Sequence, residues 1–398
     1  MIFILLFIII VDTFGFKDGV KIRYDLHKNA KRSVLPGDSR KFKMPIKYKI
    51  GNGLFANYMR KAVKNVQDNT CIEFEEVDYY TYADIEFKWG SGCGTSGIGH
   101  ILDSTQYIYI YHYCYDNVIF IQALLHETLG VHFQHTRYDS YMYITIKKDN
   151  IQDRNNYRLF NPLMYYYTTF GIGYDYGSIM HWRKNDFAKP YKRTIFANEF
   201  DEYYQNMMGQ KEMVSFNDYK ILNFYYCGDK CNNSISCQYN GYQNPKKCNE
   251  CLCPHGFQGQ NCKDFVKWQG WHGVVWDTCG PLIVNVKEWS ETFRLKSKYI
   301  CYIYLVAPVG KRILLTMEEA STSNASPCLP GKSIEIRYRG DKGSMGLCMC
   351  GYNKKVFNIE SEDNLIVIFY IGHAGAHEID FKYKILKENM AMIYRRYK

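Results

Sequence analysis

Beyond its first residues this chain has no long hydrophobic run. Ile2 to Val11 is a continuous apolar core, too short to span a bilayer, and no later stretch approaches transmembrane length. A basic stripe is also missing. The balance of 50 Lys and Arg against 40 Asp and Glu gives a formal charge of +10, but the cations are scattered, so the footprint of a nucleic-acid binder is absent. The apolar core with the small and polar residues near Thr13 to Gly15 reads as a signal peptide over residues 1–16. The mature protein is therefore expected outside the cell, with no membrane span.

Cysteine is plentiful. Fifteen in a chain with such a leader imply an oxidised, disulfide-bonded product, and 398 residues allow two or three domains. Residues 17–32 are polar and basic and end on Lys31-Arg32, which reads as a short pro-segment with a dibasic cleavage site. Ile46 to Ile50 then reads as a first strand and Phe55 to Gln67 as a helix. Tyr82 to Lys88 and Gln106 to Tyr113 alternate as strands of a mixed sheet do.

The stretch from Gln122 to Arg137 carries the chemistry. It follows an apolar run from Val118 to Leu125 of helical character, with Gly130 placed to end the helix. His126, Glu127, His132 and His135 crowd its polar end. A helical zinc site would read His-Glu-x-x-His-x-x-Gly-x-x-His: two His at i and i+4 share a face, the Glu aims at the metal-bound water, and the Gly turns the chain so that a third His reaches the metal. Starting at His126, the residue four on is Gly130. Taking His126 as the second ligand puts His132 at the third, but leaves Gln122 and Ala123 as first ligand and base. Neither register gives the whole set.

Two further segments carry a resemblance. His135-Thr136-Arg137-Tyr138-Asp139, and Ser178-Ile179-Met180-His181 some forty residues later, are similar to segments of the astacin-family zinc endopeptidases of the metzincin group. The resemblance implies an α+β metzincin catalytic domain over 33–227, with a mixed sheet, an active-site helix and a Met-turn that sets Met180 beneath the metal. It implies one Zn2+ per chain, for which His126, His132 and His135 are the candidate ligands and Glu127 the candidate catalytic carboxylate. In the family a Tyr follows the Met-turn His as a further ligand; here that residue is Trp182, which offers only an indole N–H. The family's first ligand lies eight residues after a Cys, and Cys114 plus eight is Gln122, favouring His126 as second ligand. The carboxylate that would pair with the mature N-terminus is replaced by Gln134.

Resemblance also assigns the cysteines. Cys71 pairs with Cys227 and Cys93 with Cys114 in the first domain. Residues 228–262 resemble a small disulfide-rich EGF-like module, with Cys231–Cys248, Cys237–Cys251 and Cys253–Cys262. Residues 279–388 show short alternating strands and look like a β-sandwich CUB domain, with Cys279 and Cys301, and Cys328 and Cys350, at its spacings. Cys348 is left over, either free or used between chains. Asn232-Asn233-Ser234 and Asn324-Ala325-Ser326 are glycosylation sequons. Two functions follow. One is a secreted metalloendopeptidase acting on extracellular proteins through zinc-activated water; the other is a non-catalytic secreted binding protein that keeps the fold and its EGF and CUB modules, through which it would meet extracellular protein ligands.

Overall fold

A computed structural model describes residues 40–102, 104–162, 168–266, 283–372 and 377–387. The expected leader, the pro-segment and Cys279 lie outside the described residues. The first lobe is built on a five-stranded sheet of β1 (Ile46–Ile50), β2 (Phe74–Glu76), β3 (Ile85–Trp89), β4 (Gly94–Thr95) and β5 (Gln106–Ile110), in the order β2-β1-β3-β5-β4. All ladders are parallel except β4 with β5, so the sheet is mixed, as its alternation suggested. Ile46, Ile85, Phe87, Ile108 and Ile110 all point to the buried side. There they meet α1 (Ala56–Asn69), whose Met59, Ala62, Val63 and Val66 recur at helical spacing, and α2 (Val118–Thr128) beside it. A closing helix, α3 (Phe216–Tyr226), starts with a Ser215–Asp218 capping box and ends at Cys227, which is bonded to Cys71.

Between this lobe and the last one lies a segment too short for a core of its own, held by Cys231–Cys248, Cys237–Cys251 and Cys253–Cys262. Its aromatic residues lean on its neighbour: Phe265 stacks on Tyr304 at 4.2 Å. The last lobe is a sandwich of two sheets. One runs through Ile283–Asn285, Ile300–Val306, Leu365–Ile371, Ile334–Arg337 and Leu347–Met349. The other runs through Glu291–Ser297, His377–Ile385, Ile313–Ser321 and Tyr352–Asn353, with Phe357–Glu360 also paired to Ile313–Ser321. Glu291–Ser297 alternates exposed and buried, as a strand with one solvated face must. Leu365–Ile371 is buried nearly throughout, because its outer face is covered by the disulfide-stapled segment around Phe257.

The sandwich does not hang free. Its core is continuous with that beneath the first lobe, through Tyr174, Tyr176, Tyr204, Tyr338 and Met345. The contact is polar as well. Arg339 Nη1 donates to the Tyr174 carbonyl at 2.6 Å, Asp341 accepts from Gly173 N at 2.6 Å, and Asn217 donates to Ser344 Oγ at 3.0 Å. Cys93–Cys114 and Cys328–Cys350 complete the described disulfides, which are the pairs the resemblance implies; Cys301 is also bonded. Cys348 is free and buried, which leaves its thiol no route to another chain.

Candidate functional site

Helix α2 decides what the cleft contains. Asn117 opens it by accepting from Phe120 N at 2.8 Å. Gly130 closes it at φ +102°, where Gly130 N bonds the Glu127 carbonyl at 3.0 Å and Val131 N the His126 carbonyl at 2.8 Å. These are the paired bonds of a Schellman cap, which needs a residue at ease with positive φ. Between the caps, Phe120, Ala123, Leu124 and Glu127 share one helix face and line a cleft of about 750 Å³. Thr95 of the edge strand β4, Phe133, Leu159, Trp182 and Phe187 are also in its walls.

Gln122 and His126 lie on another face, against α3. Tyr219 donates its hydroxyl to Gln122 Oε1 at 2.8 Å, and the His126 ring lies 6.0 Å from the Tyr219 ring. His126 Nδ1 bonds the Gln122 carbonyl at 2.7 Å, while its Nε2 is buried with no hydrogen-bond partner. Burial lowers the pKa of this imidazole, against the opposing pull of the Asp218 charge.

Past Gly130, His132 Nδ1 contacts Thr136 Oγ1 at 2.8 Å and accepts from Phe133 N at 2.9 Å. Burial lowers its pKa to about 4. His135 is buried under Trp182, ring centroids 4.1 Å apart, with Nε2 3.3 Å from the Leu159 carbonyl and Nδ1 without a partner. Desolvation holds it well below the ordinary imidazole range. His181, also in the cleft wall, is held between Tyr174 Oη at 2.8 Å and the Trp182 carbonyl at 2.7 Å, and burial takes it to about 4.

The expected zinc therefore finds no fitting set. Among the described residues no group of three or more His, Cys, Asp or Glu could hold a metal ion. His126, His132 and His135 face α3, Thr136 and Trp182 respectively. The physical reason is register. Counting from Gly130, whose turn fixes the pattern, the three His positions fall on Ala123, Glu127 and Phe133, and the Glu position on Leu124. All four line the cleft. Ala123 is nine residues after Cys114 rather than eight, so the count from the cysteine and the count from the glycine differ by one residue, which turns a helix side chain by about 100°. Sequence reasoning overlooked this register, although Gly130 was the signal for it.

Glu127 is thus the one carboxylate where a metal ligand would stand. Burial raises its pKa to about 7, with only a hydrogen bond from Thr95 acting the other way. The motif residues that carried the resemblance hold the frame instead. Arg137, buried, makes a two-pronged pair with Asp139, both bonds 2.9 Å, and donates to the Ile172 and Gly173 carbonyls. Buried Met180 accepts from Gln134 N at 2.9 Å, and Asp218 accepts from Ile179 N at 3.0 Å.

A mixed sheet over a cleft, a long helix turned by a glycine below it and a buried Met-turn beneath define the peptidase-domain class that the resemblance implied. Residues 37–227 match the model of the Astacin peptidase family, and the chain belongs to that family. It is similar to the zinc metalloproteinase nas-34 of Caenorhabditis elegans, 30% identical over 363 residues that cover 89% of this chain and 57% of the relative. It is also similar to nas-30 of the same organism, 28% identical over 369 residues, covering 91% of this chain and 47% of that one. The chain spans about half the length of the curated relatives it matches. Among solved structures, high choriolytic enzyme 1, a hatching enzyme zinc-protease of Oryzias latipes, overlaps 48% of this chain and 98% of its own at 24% identity and a TM-score of 0.43.

Proposed function

We propose that this chain is a secreted, non-catalytic member of its family that uses the retained cleft to bind extracellular proteins without cutting them. One observation carries this reading: the four chemistry-bearing positions of the cleft hold Ala123, Leu124, Glu127 and Phe133. Ala, Leu and Phe have no atom to ligate a metal, and Glu127 by itself is one ligand where a catalytic zinc takes three. With Leu124 in place of the base, the position that would take a proton from an attacking water has no acceptor. Its disulfides support an extracellular setting. In this reading 228–262 is an EGF-like module, 279–388 is a CUB domain, and Asn232 and Asn324, both in sequons, carry glycans. Fold without site chemistry supports binding rather than hydrolysis.

Family membership favours the other reading, a working zinc endopeptidase, and one measurement separates them. Elemental analysis of the purified mature protein is expected to find far less than one zinc per chain, with no chelator-sensitive cleavage of peptide libraries. The combined variant Ala123→His, Leu124→Glu, Glu127→His and Phe133→His is expected to bind zinc stoichiometrically. One zinc per natural chain together with peptidase activity that a chelator abolishes would overturn the non-catalytic reading.

A further inference from the structure

Resting on the binding reading above, we propose that the cleft takes a lysine or arginine side chain of an extended protein segment, with Glu127 as its counter-charge. Glu127 lies on the cleft face of α2 and takes its one described side-chain bond from Thr95; no cation interacts with it among the described residues. A carboxylate so placed has unused acceptor capacity in a partly desolvated site, where a charge-assisted hydrogen bond is strongest. Beside it, one turn back on the same face, stands Ala123, which leaves open the room that a larger side chain would fill.

The walls suit the same ligand. Phe133, Trp182 and Phe187 form a continuous aromatic run, with ring centroids 5.4 and 5.0 Å apart. Ring faces attract a cation, and their edges pack the aliphatic stem behind it. The cleft also holds cations of its own, Arg183 and Lys211, which have other partners. Lys211 lies over the Phe120 ring at 5.8 Å and donates to the Ile179 carbonyl at 2.7 Å. Both act electrostatically on Asp186, which also lines the cleft. Phe120 is seven residues from Glu127, about 10 Å along the helix. The cleft therefore presents one carboxylate, Glu127, for which no described residue supplies a cation, beside an aromatic wall.

Calorimetry with the full secreted chain tests this, using synthetic extended peptides that differ only at one central position, filled by Lys, Arg, Leu, Phe or Glu. Lys and Arg peptides are expected to bind about tenfold more tightly than Leu and more tightly still than Glu. Glu127→Gln is expected to erase that preference, and Glu127→Lys to turn it toward the Glu peptide. Unchanged disulfide maps and a cooperative melt at neutral pH establish that both variants fold. A preference for Leu, Phe or Glu in the natural chain, or a Lys preference that survives Glu127→Gln, overturns the cationic ligand and leaves the binding reading intact. Failure of every peptide to bind overturns both the cationic ligand and the cleft as a binding site, whereas the zinc and peptidase measurements bear on catalysis alone.

Discussion

Burial acts in opposite senses on the titratable groups of the cleft. It raises Glu127 from an ordinary 4.5 to about 7, so the folded chain holds the extra proton and this residue adds stability on the acid side, lost as pH rises through about 7. It lowers His132 and His181 from 6.5 to about 4, so their contribution is complete above 6.5 and disappears as pH falls toward 4. His135 moves in the same direction as these two. Burial also lowers His126 and raises Asp175 and Asp186, so four imidazoles stand against three carboxyls. The thermal midpoint is expected to fall on acidification between about pH 6.5 and 4, and to fall more steeply in Glu127→Gln, which lacks one of the opposing contributions. A melting series across that window checks both; a midpoint constant over the range would refute the argument. At this scale the sequence named Glu127 as the nearby carboxylate, and it does line the cleft. It could not show where the imidazoles point, because histidine sits equally well in a metal site and against a tyrosine such as Tyr219.

Among the elements, α2 and its glycine stop bear the most weight. A Cβ added at Gly130 would meet the Tyr225 ring at 3.2 Å, on a backbone at φ +102° that L-residues adopt at a cost. Gly130→Ala is expected to lower the unfolding free energy by about 1–3 kcal/mol and to disturb the placing of Phe133, three residues on. Denaturant unfolding measures the first effect, and weaker peptide binding at unchanged disulfide content the second. Several elements were legible from periodicity: the helix read at Phe55 to Gln67 runs Ala56–Asn69, and the strands read at Ile46 to Ile50 and from Gln106 are β1 and β5. The register of α2 was not. Its run from Val118 to Leu125 is apolar nearly all round, so no stripe marks which face meets the sheet and which the cleft.

Across the whole molecule, the sandwich serves as the floor of the first lobe. The junction is a buried set of tyrosines around Arg339, whose guanidinium lies 4.8 Å from the Tyr143 ring and bonds the Tyr174 carbonyl. Removing that side chain strands a buried carbonyl and opens a space among the rings. Arg339→Ala is expected to cost about 2–4 kcal/mol and to split a single calorimetric unfolding transition into two, one per lobe. A single unshifted transition in the variant would show that the lobes are not coupled there. By itself the sequence determined the family, through Arg137, Asp139 and the Met-turn, and, through that resemblance, the pairing of its cysteines. Both are local patterns that survive a shift elsewhere. Only the tertiary structure decided what faces the cleft. A helix side chain turns by about 100° per residue, and with the helix ended at Gly130 this puts Ala123, Leu124 and Glu127 on the cleft face and turns His126, one residue away, against α3.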